Sequence, residues 1–523
     1  MTVDSSGPGA ASGQPDPLPP AIHPQDPRYD DLALRRRNER FTHRPDYFRV
    51  VRTTDQAVAA VAHAVRSGQR IGIRSGGHSM ENSVGEQPGG VIIDMAAMNG
   101  IYYDSSHHAF VVEAGATLGA VFRQLYVNWG VTVPGGWGHT VCVGGHVQGG
   151  GYGVQSRRLG SIVDYLDAVE VVTVDGTGTA RATRASRDPA DPNHDLWWAH
   201  TGGGGGNFGV VTRYWLRSPA ATGNDPTTVL PRPPASLLTG IMTWSWQEMN
   251  RDSFHRLMRN YSAWHERNSA PGSPCAGLAA RLTVSCRQEK DGPGDIVVVA
   301  ISEAGEPGSR DLLKAFFAAV GDGVGGNMII DGPKPWLYTM MPPVEDAESQ
   351  RGAEHDRYKG KSGYLRRGFT ADQVDTVYEY LGTPHPQLEH GALWLLSYGG
   401  QVNAVSPTAT ALVQRDSVLK AVYTATWLHA EDDEKNLDWI RRFYRDVYGD
   451  SGGVPVPGEV SDGAYINYPD ADLADPRWNT SGVPWHHLYY KENYPRLQRV
   501  KARWDPADVF HHTLSIRPST EAE

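Results

Sequence analysis

Several stretches of this chain set a reactive side chain on an unusually permissive backbone. In RSGGHS, residues 74–79, His78 directly follows two glycines. In VPGGWGHTVCVGGHVQGGGYG, residues 133–153, Cys142 and Tyr152 lie in a run dominated by glycine. A third glycine cluster, GGGGGNFG, occupies 202–209, and YINYPD at 465–470 brings Tyr465 close to Tyr468. A neutral imidazole either hydrogen-bonds within its loop or offers a nitrogen to a partner. Residues without Cβ let a backbone approach a flat or charged ligand, and consecutive amides can cradle a phosphate. A free phenol has a pKa near 10, so a tyrosine acts as a base near neutrality only with help from a neighbouring donor or cation.

Other chemistries are poorly supplied. There is no HExxH, Walker loop or paired-cysteine zinc pattern, and the doublets His107/His108, His486/His487 and His511/His512 lack ligand spacing, so no metal is expected. No G-x-S-x-G lies between a strand and a helix. Gly204, Gly206 and Gly209 satisfy G-x-G-x-x-G, but the VVTRYW that follows alternates like a strand, which fails the dinucleotide fingerprint. A glycine turn touching a nucleotide without a helix dipole and a plain surface loop both fit that segment. The remaining parts suit redox cofactor chemistry. A neutral imidazole can bond to the 8α-methyl carbon of an isoalloxazine, and a flavin so substituted is a stronger acceptor, suited to taking hydride from an alcohol.

The elements that must position these groups can be read from periodicity. FRVVRTTDQAVAAVAHAVRSGQRIGIRSGGHS, from Phe48, reads strand, helix, strand, with Thr54 as cap, Val58, Val61, Ala62 and Val65 on one face and Gly68 closing the helix. This βαβ unit leaves His78 in the loop beyond the carboxyl end of its second strand, where α/β layouts usually bind ligands. Strands at 91–94 and 109–114 follow, then a helix from Thr117 with Leu118, Val121, Phe122 and Leu125 inward, and no regular element is expected across 133–153. A strand is expected near 168–174. Proline and polar residues between 219 and 234 suggest a domain boundary. Beyond it come helices near 253–267 and 309–320 and strands near 279–286, 295–304, 392–400 and 420–429, an α+β layer; a last helix carries Leu497, Val500 and Trp504 and stops at Asp505 and Pro506.

The 523 residues exceed what one core usually serves, so two domains are expected. A formal net charge of -10 and the absence of long basic runs argue against nucleic acid. Cys142, Cys275 and Cys286 are too few for a disulfide framework, although the last two could pair, and a reducing cytoplasm is the expected location. No run of about 18 apolar residues predicts a membrane span. The opening MTVDSSGPGAASGQPDPLPP lacks an apolar signal region, and residues 1–27 read as a disordered tail.

Taken together, RSGGHS, VGGHVQGGGYG (143–153), GGGGGNFGVVT (202–212) and YINYPD resemble the berberine bridge enzyme-like branch of the vanillyl-alcohol oxidase and p-cresol methylhydroxylase superfamily. The resemblance covers about 45–220 and 390–516, whereas 221–390 is much less telling. Within the branch, DGAYINYPDADLADPRWNTSGVPWHHLYY is similar to bacterial hexose oxidases of lipoglycopeptide antibiotic tailoring. The resemblance implies an α+β, two-domain PCMH-type FAD-binding fold with an α/β substrate domain built on an antiparallel sheet. The FAD-binding domain would span 28–220 and the substrate domain 221–444, with 445–523 returning to the FAD domain.

The same resemblance implies FAD bonded covalently to His78 and contacted by Arg74, Ser75, Gly76, Gly77 and Ser79. Further contacts would come from Gly138, Val141, Val143, Gly144, Gly145, His146, Gly149, Gly150 and Gly153, then Gly206, Asn207, Gly209, Val210 and Val211, and finally Asn467. A second anchor, a cysteine on flavin C6 in many relatives, aligns with Gly138; Cys142 lies four residues later and is either that bond or a small apolar residue near the pyrophosphate. Val141 matches an oxygen gate that favours dioxygen as acceptor. Tyr465 matches the family's base, Tyr152 a second active-site tyrosine, and Tyr468 is the alternative base. The expected reaction is oxidation of a sugar primary alcohol on a glycosylated small molecule, to aldehyde or acid, with peroxide formed. Oxidative cyclisation or dehydrogenation of an aglycone, and a catalytically retired flavin-binding protein, are the alternatives.

Overall fold

The computed structural model describes residues 18–85, 89–288, 295–305, 308–341, 357–384 and 390–519. Strands Tyr47–Val50 and Ile71–Arg74 run parallel to Val91–Asp94, which lies between them, and helix Thr54–Arg66 makes the crossover. The cap is Thr53, whose side chain accepts from the Gln56 amide; the expected Thr54 lies inside the helix, where its hydroxyl donates to Glu170. The fully buried face is Ala57, Ala60, Val61 and Ala64, with Val58, Ala62 and Val65 only partly covered. Three alanines and Val61 take the closest approach, and Val58 and Val65 flank them. Part of the expected tail is packed. Ile22 bridges to Phe48 and is 5% exposed, and Arg49 donates to the Pro19 carbonyl, so 18–27 belong to this unit; residues 1–17 lie outside those described.

A second sheet packs beside the first, in the order Ile101–Asp104, Ala109–Glu113, Val210–Leu216, Leu166–Val174, Ala180–Ser186, antiparallel throughout. Its central member is the strand that follows the third glycine cluster, as the alternation of VVTRYW requires. Helix Leu118–Trp129 is capped by Thr117 and buries Leu118, Val121, Phe122 and Leu125 completely. The stretch 133–153 contains one element not expected from sequence, the short helix Val143–His146. Its first turn fits because Gly144 has no side chain: a Cβ there would lie 2.2 Å from Ser75 Oγ and 2.7 Å from the Ala114 carbonyl oxygen.

The other half of the molecule is a large antiparallel sheet. Its order is Asn327–Ile330, Ser236–Trp244, Ile296–Glu303, Ala279–Ser285, His390–Ser397, Leu419–Trp427, Arg357–Leu365, with Lys334–Pro335 also pairing with Ser236–Trp244. Helices Arg251–Asn268, Ser309–Val320, Ala371–Gly382 and Asp433–Val447 cover one face. The contact is close: a Cβ on Gly240 would lie 2.4 Å from the Phe317 ring. Strands Ser236–Trp244 and Arg357–Leu365 were not singled out from the sequence. Cys275 and Cys286 are free thiols, so the considered disulfide does not form. Helix Tyr494–Trp504 returns to the first half, where Lys501 Nζ donates to the Asn207 carbonyl at 2.7 Å and pairs with Asp505 at 2.6 Å. Among the described residues no helix is long and apolar enough to cross a membrane.

Candidate active site

Strand Ile71–Arg74 delivers the chain into the His78 loop. Gly77 has φ +74°, and a Cβ there would lie 2.8 Å from the Arg35 carbonyl oxygen, so the bend requires glycine. Arg35 donates to the Ser75 carbonyl at 2.9 Å, and the Arg37 amide donates to the Gly77 carbonyl at 2.9 Å. Arg74 does not face the loop's open side. It is buried, pairs with Asp94 at 2.7 Å and donates to the Leu32 carbonyl at 2.6 Å, acting as a strut beneath the loop. His78 Nε2 lies 3.0 Å from Thr140 Oγ1, and burial, helped by the Arg37 and Arg35 guanidiniums, pushes the imidazole down to about 4. At neutral pH it is uncharged, with a lone pair on one ring nitrogen. Ser79 is partly buried in the same loop.

Cys142 lies directly behind this loop. A Cβ on Gly76 would meet Cys142 N at 2.9 Å and Sγ at 3.2 Å. The Cys142 thiol donates to the Gly115 carbonyl at 3.2 Å, and burial pushes it up to about 11, which disfavours the thiolate. Gly138 and Val141 are partly buried neighbours, joined by the Val141 amide donating to the Gly138 carbonyl at 3.2 Å.

Most other glycines of this region allow loop to pack on loop. A Cβ would lie 2.0 Å from Asn467 Oδ1 at Gly149, 3.1 Å from Leu412 at Gly150, and 1.8 Å from the Gly135 carbonyl oxygen at Gly153. Gly145 differs: it is exposed, and a Cβ there would meet nothing within 4 Å. The third cluster leans on the second through the Gly204 amide, which donates to the Gln148 carbonyl at 2.9 Å; Gly206 sits beside His512. Asn207, buried, uses its side chain within the fold, donating to the Gly203 and Gly204 carbonyls at 3.0 Å each and accepting from Ile516 N at 2.8 Å. Gly209 passes too close to the Val172 carbonyl for any Cβ, and Val143, Val210 and Val211 are core residues. These positions build the wall of the glycine region.

The tyrosines expected to act together do meet. Tyr152 and Tyr465 have ring centroids 6.2 Å apart, and Tyr465 and Tyr468 5.2 Å apart, each pair edge to face. Asn467 Nδ2 donates to Tyr465 Oη at 2.9 Å and to the His146 carbonyl at 2.9 Å, tying the YINYPD turn to the second glycine loop. His146 Nε2 accepts from the Gly136 amide at 3.2 Å, and burial and the neighbouring Lys420 push this imidazole down to about 4. Burial raises all three phenols, Tyr468 to about 12 and Tyr152 and Tyr465 further, so each is protonated in isolation.

Lys420, Tyr364 and Tyr398 complete the cluster, and sequence reading did not find them. Tyr398 and Tyr364 pack on Tyr152 and Tyr465 with centroid distances of 5.5 and 5.9 Å. Lys420 Nζ is fully buried, has no hydrogen-bond partner among the described residues, and lies 3.4 Å from the ring centroids of both Tyr152 and Tyr465. Burial holds its amine well below the usual lysine range. The signal was the one charged residue in strand Leu419–Trp427, in phase with Val422 and Thr424, but only the sheet topology shows where that phase points. Strand Arg357–Leu365 couples the two parts of the site. Lys359 pairs with Glu81, three residues beyond His78, and with Asp470 at 2.7 Å, while Lys361 pairs with Asp470 at 2.6 Å and Asp472 at 2.8 Å.

This donor set suits a flavin nucleotide. A neutral imidazole nitrogen sits on a glycine loop, backbone lies open at Gly145, and an unpartnered amine is buried among phenols. Comparison with known proteins agrees. Residues 45–180 match the FAD binding domain model, and 464–517 match the model described as berberine and berberine like. An aclacinomycin-N/aclacinomycin-A oxidase of Streptomyces galilaeus is 49% identical over 94% of this chain and 89% of its own length. A hexose oxidase of Chondrus crispus is 28% identical over 90% of each. Among solved structures, a glycopeptide hexose oxidase complexed with teicoplanin is 50% identical with a TM-score of 0.90, covering 96% of this chain and 99% of that one. The chain is thus a FAD-linked oxidoreductase and belongs to the berberine bridge enzyme-like family.

Proposed function

We propose that this enzyme is an alcohol oxidase acting on a sugar primary alcohol of a glycosylated natural product, with Tyr465 as the proton acceptor and His78 as the single covalent anchor of FAD. The observation that carries the reading is Lys420 Nζ, which contacts the faces of Tyr465 and Tyr152 while Asn467 donates to Tyr465 Oη. A buried phenol resists ionising and a buried amine resists protonation. When the phenol loses its proton and the amine is charged, each charge offsets the desolvation of the other. Tyr465 and Lys420 can thus hold the proton of a substrate hydroxyl, and Tyr152 shares the cation from the other side. Bound FAD supplies the two-electron acceptor that takes hydride from the carbinol carbon and passes the electrons to dioxygen, giving peroxide.

The neutral His78 supports the anchor because only an unprotonated nitrogen can form the bond. The buried, hydrogen-bonded Cys142 thiol supports leaving it as a packing residue. The relatives, an aclacinomycin-N/aclacinomycin-A oxidase and two hexose oxidases, one of them complexed with teicoplanin, support a sugar-bearing natural product as substrate class. The test is anaerobic mixing with a panel of methyl hexosides and glycosides, followed by product mass. Bleaching of the flavin with loss of two hydrogens from the sugar, or further gain of oxygen there, is expected. A flavin that no alcohol bleaches, or hydrogen loss confined to the aglycone, refutes the proposal.

A further inference from the structure

Strand Arg357–Leu365 closes one end of the large sheet, and its free edge is covered by the two segments that carry the candidate site. At one end of the strand the Asn38 side chain donates to the Tyr358 carbonyl at 2.9 Å and accepts from the Tyr358 amide at 3.3 Å, and Arg40 donates to the same carbonyl at 3.1 Å. Asn38 directly follows Arg37, whose amide holds the Gly77 carbonyl beside His78. At the other end the Tyr364 amide donates to the Gly463 carbonyl at 2.8 Å, and its carbonyl accepts from the Asp462 amide at 2.9 Å. Between them the Ser362 hydroxyl accepts from the Tyr465 amide at 3.0 Å. One strand therefore binds both the segment that braces His78 and the segment that carries Tyr465.

Its lysines make the tie ionic. Lys359 and Lys361 are two residues apart and point to one face. Lys359 pairs with Glu81 and with Asp470 at 2.7 Å, Lys361 pairs with Asp470 at 2.6 Å and Asp472 at 2.8 Å, and Arg441 reaches Asp472 at 2.9 Å. The Ala471 amide donates to Glu81 at 3.4 Å, a second link between the same two segments. The side chains of Lys359, Lys361 and Asp470 are each 2% exposed. Removing that many charges from water is costly, and apolar side chains of similar volume stabilise a core at least as well. What the ions add is geometry, because moving one of them leaves its partners buried and unpaired. Glu81 stands three residues after His78, and Asp470 five after Tyr465.

We propose that this network is a positioning device for the oxidation, and that Lys359 is its positioning residue. Through Glu81 it holds the His78 loop, through Asp470 it holds the Tyr465 turn, and so it sets the phenol against the flavin. The inference rests on His78 and Tyr465 acting as anchor and base.

A double-mutant cycle separates this role from stability. Lys359→Met leaves Glu81 unpaired and should lower Tm. Adding Glu81→Gln removes the stranded charge and should return more than half of the lost Tm, but it does not restore the tie. Mixed anaerobically with a saturating hexoside, both holoenzyme variants should reduce their flavin at least tenfold more slowly than the parent, with the half-saturating hexoside concentration changed less than threefold. At rest both should show at least twofold more flavin fluorescence, because a phenol held close to the ring quenches it. A double variant that regains Tm together with the parental reduction rate or the parental emission assigns the network to stability alone and overturns the proposal. One that regains no Tm denies the Glu81–Lys359 pairing and overturns it as well. A parent whose flavin no alcohol bleaches would remove the oxidation reading instead, and the emission alone would then decide whether the network sets the Tyr465 turn: at least doubled in the variants, it does; unchanged, it does not.

Discussion

Lys420→Met is the sharpest perturbation of the proposed base. The Lys420 amine lies 3.4 Å from the Tyr465 ring centroid. With the phenol oxygen about 2.8 Å from that centroid in the ring plane, the charge separation is about 4.4 Å, which at an effective dielectric near 20 gives about 4 kcal/mol between ammonium and phenolate. That corresponds to nearly three pH units of phenol acidity at about 1.4 kcal/mol per unit. Methionine keeps most of the volume and removes the charge. The rising limb of the kcat profile, which reports ionisation of the base, should therefore move up by about two to three pH units, and kcat at pH 7 should fall on the order of a hundredfold or more. Activity of the variant should rise with pH without reaching the parent's value by pH 10. The assay is steady-state oxygen uptake from pH 5 to 10 with a hexoside that the parent oxidises. A variant profile that superimposes on the parent's refutes the argument, and so does an equal loss at every pH, which would assign Lys420 to packing alone.

Tyr465→Phe should lower turnover by at least about a hundredfold while the protein stays yellow, and near-parental oxygen uptake would remove Tyr465 from the base role. His78→Ala should release its flavin on acid precipitation, where the parent should yield one yellow peptide bearing His78; a flavin that stays bound in the variant would move the anchor elsewhere. Gly153→Ala forces a Cβ to within 1.8 Å of the Gly135 carbonyl oxygen, backbone against side chain, and should cost at least about 2–3 kcal/mol, read as a fall in Tm. Burial pushes His43 and His200 down to about 4 and His265 to about 3. Their folded values lie below the unfolded value near 6.5, so the unfolded chain takes up protons first as pH falls. The stability they contribute is present above pH 6.5 and lost progressively between pH 6.5 and about 4, and a Tm that rises over that interval would contradict this.

Much of the first half of the fold was legible in the sequence. The βαβ unit, the strand after the third glycine cluster and helix Leu118–Trp129 follow from apolar spacing and from caps that act within a few residues. The candidate groups were legible too, because an imidazole after two glycines and tyrosines in short motifs are local patterns. Local readings failed where packing decided between near neighbours. Thr53 caps in place of Thr54, and Ala57, Ala60 and Ala64 join Val61 on the buried face where Val58 and Val65 stay partly covered, because the distance from helix to sheet is not written in the helix. The side chains of Asn207, Val210 and Val211 also pack into the wall, Asn207 by bonding to glycine carbonyls and to Ile516 N and the two valines by lying in the core.

Tertiary structure alone brought the parts together. Lys420 lies 45 positions before Tyr465 and 268 after Tyr152, and only the register of Leu419–Trp427 in the large sheet turns it toward both rings. The sequence by itself set where an imidazole, phenols and a backbone without Cβ occur, because those are properties of the residues themselves. The fold decided what surrounds them. Removal from water and the position of one unpaired amine set whether a phenol can ionise, and both depend on contacts between segments hundreds of residues apart.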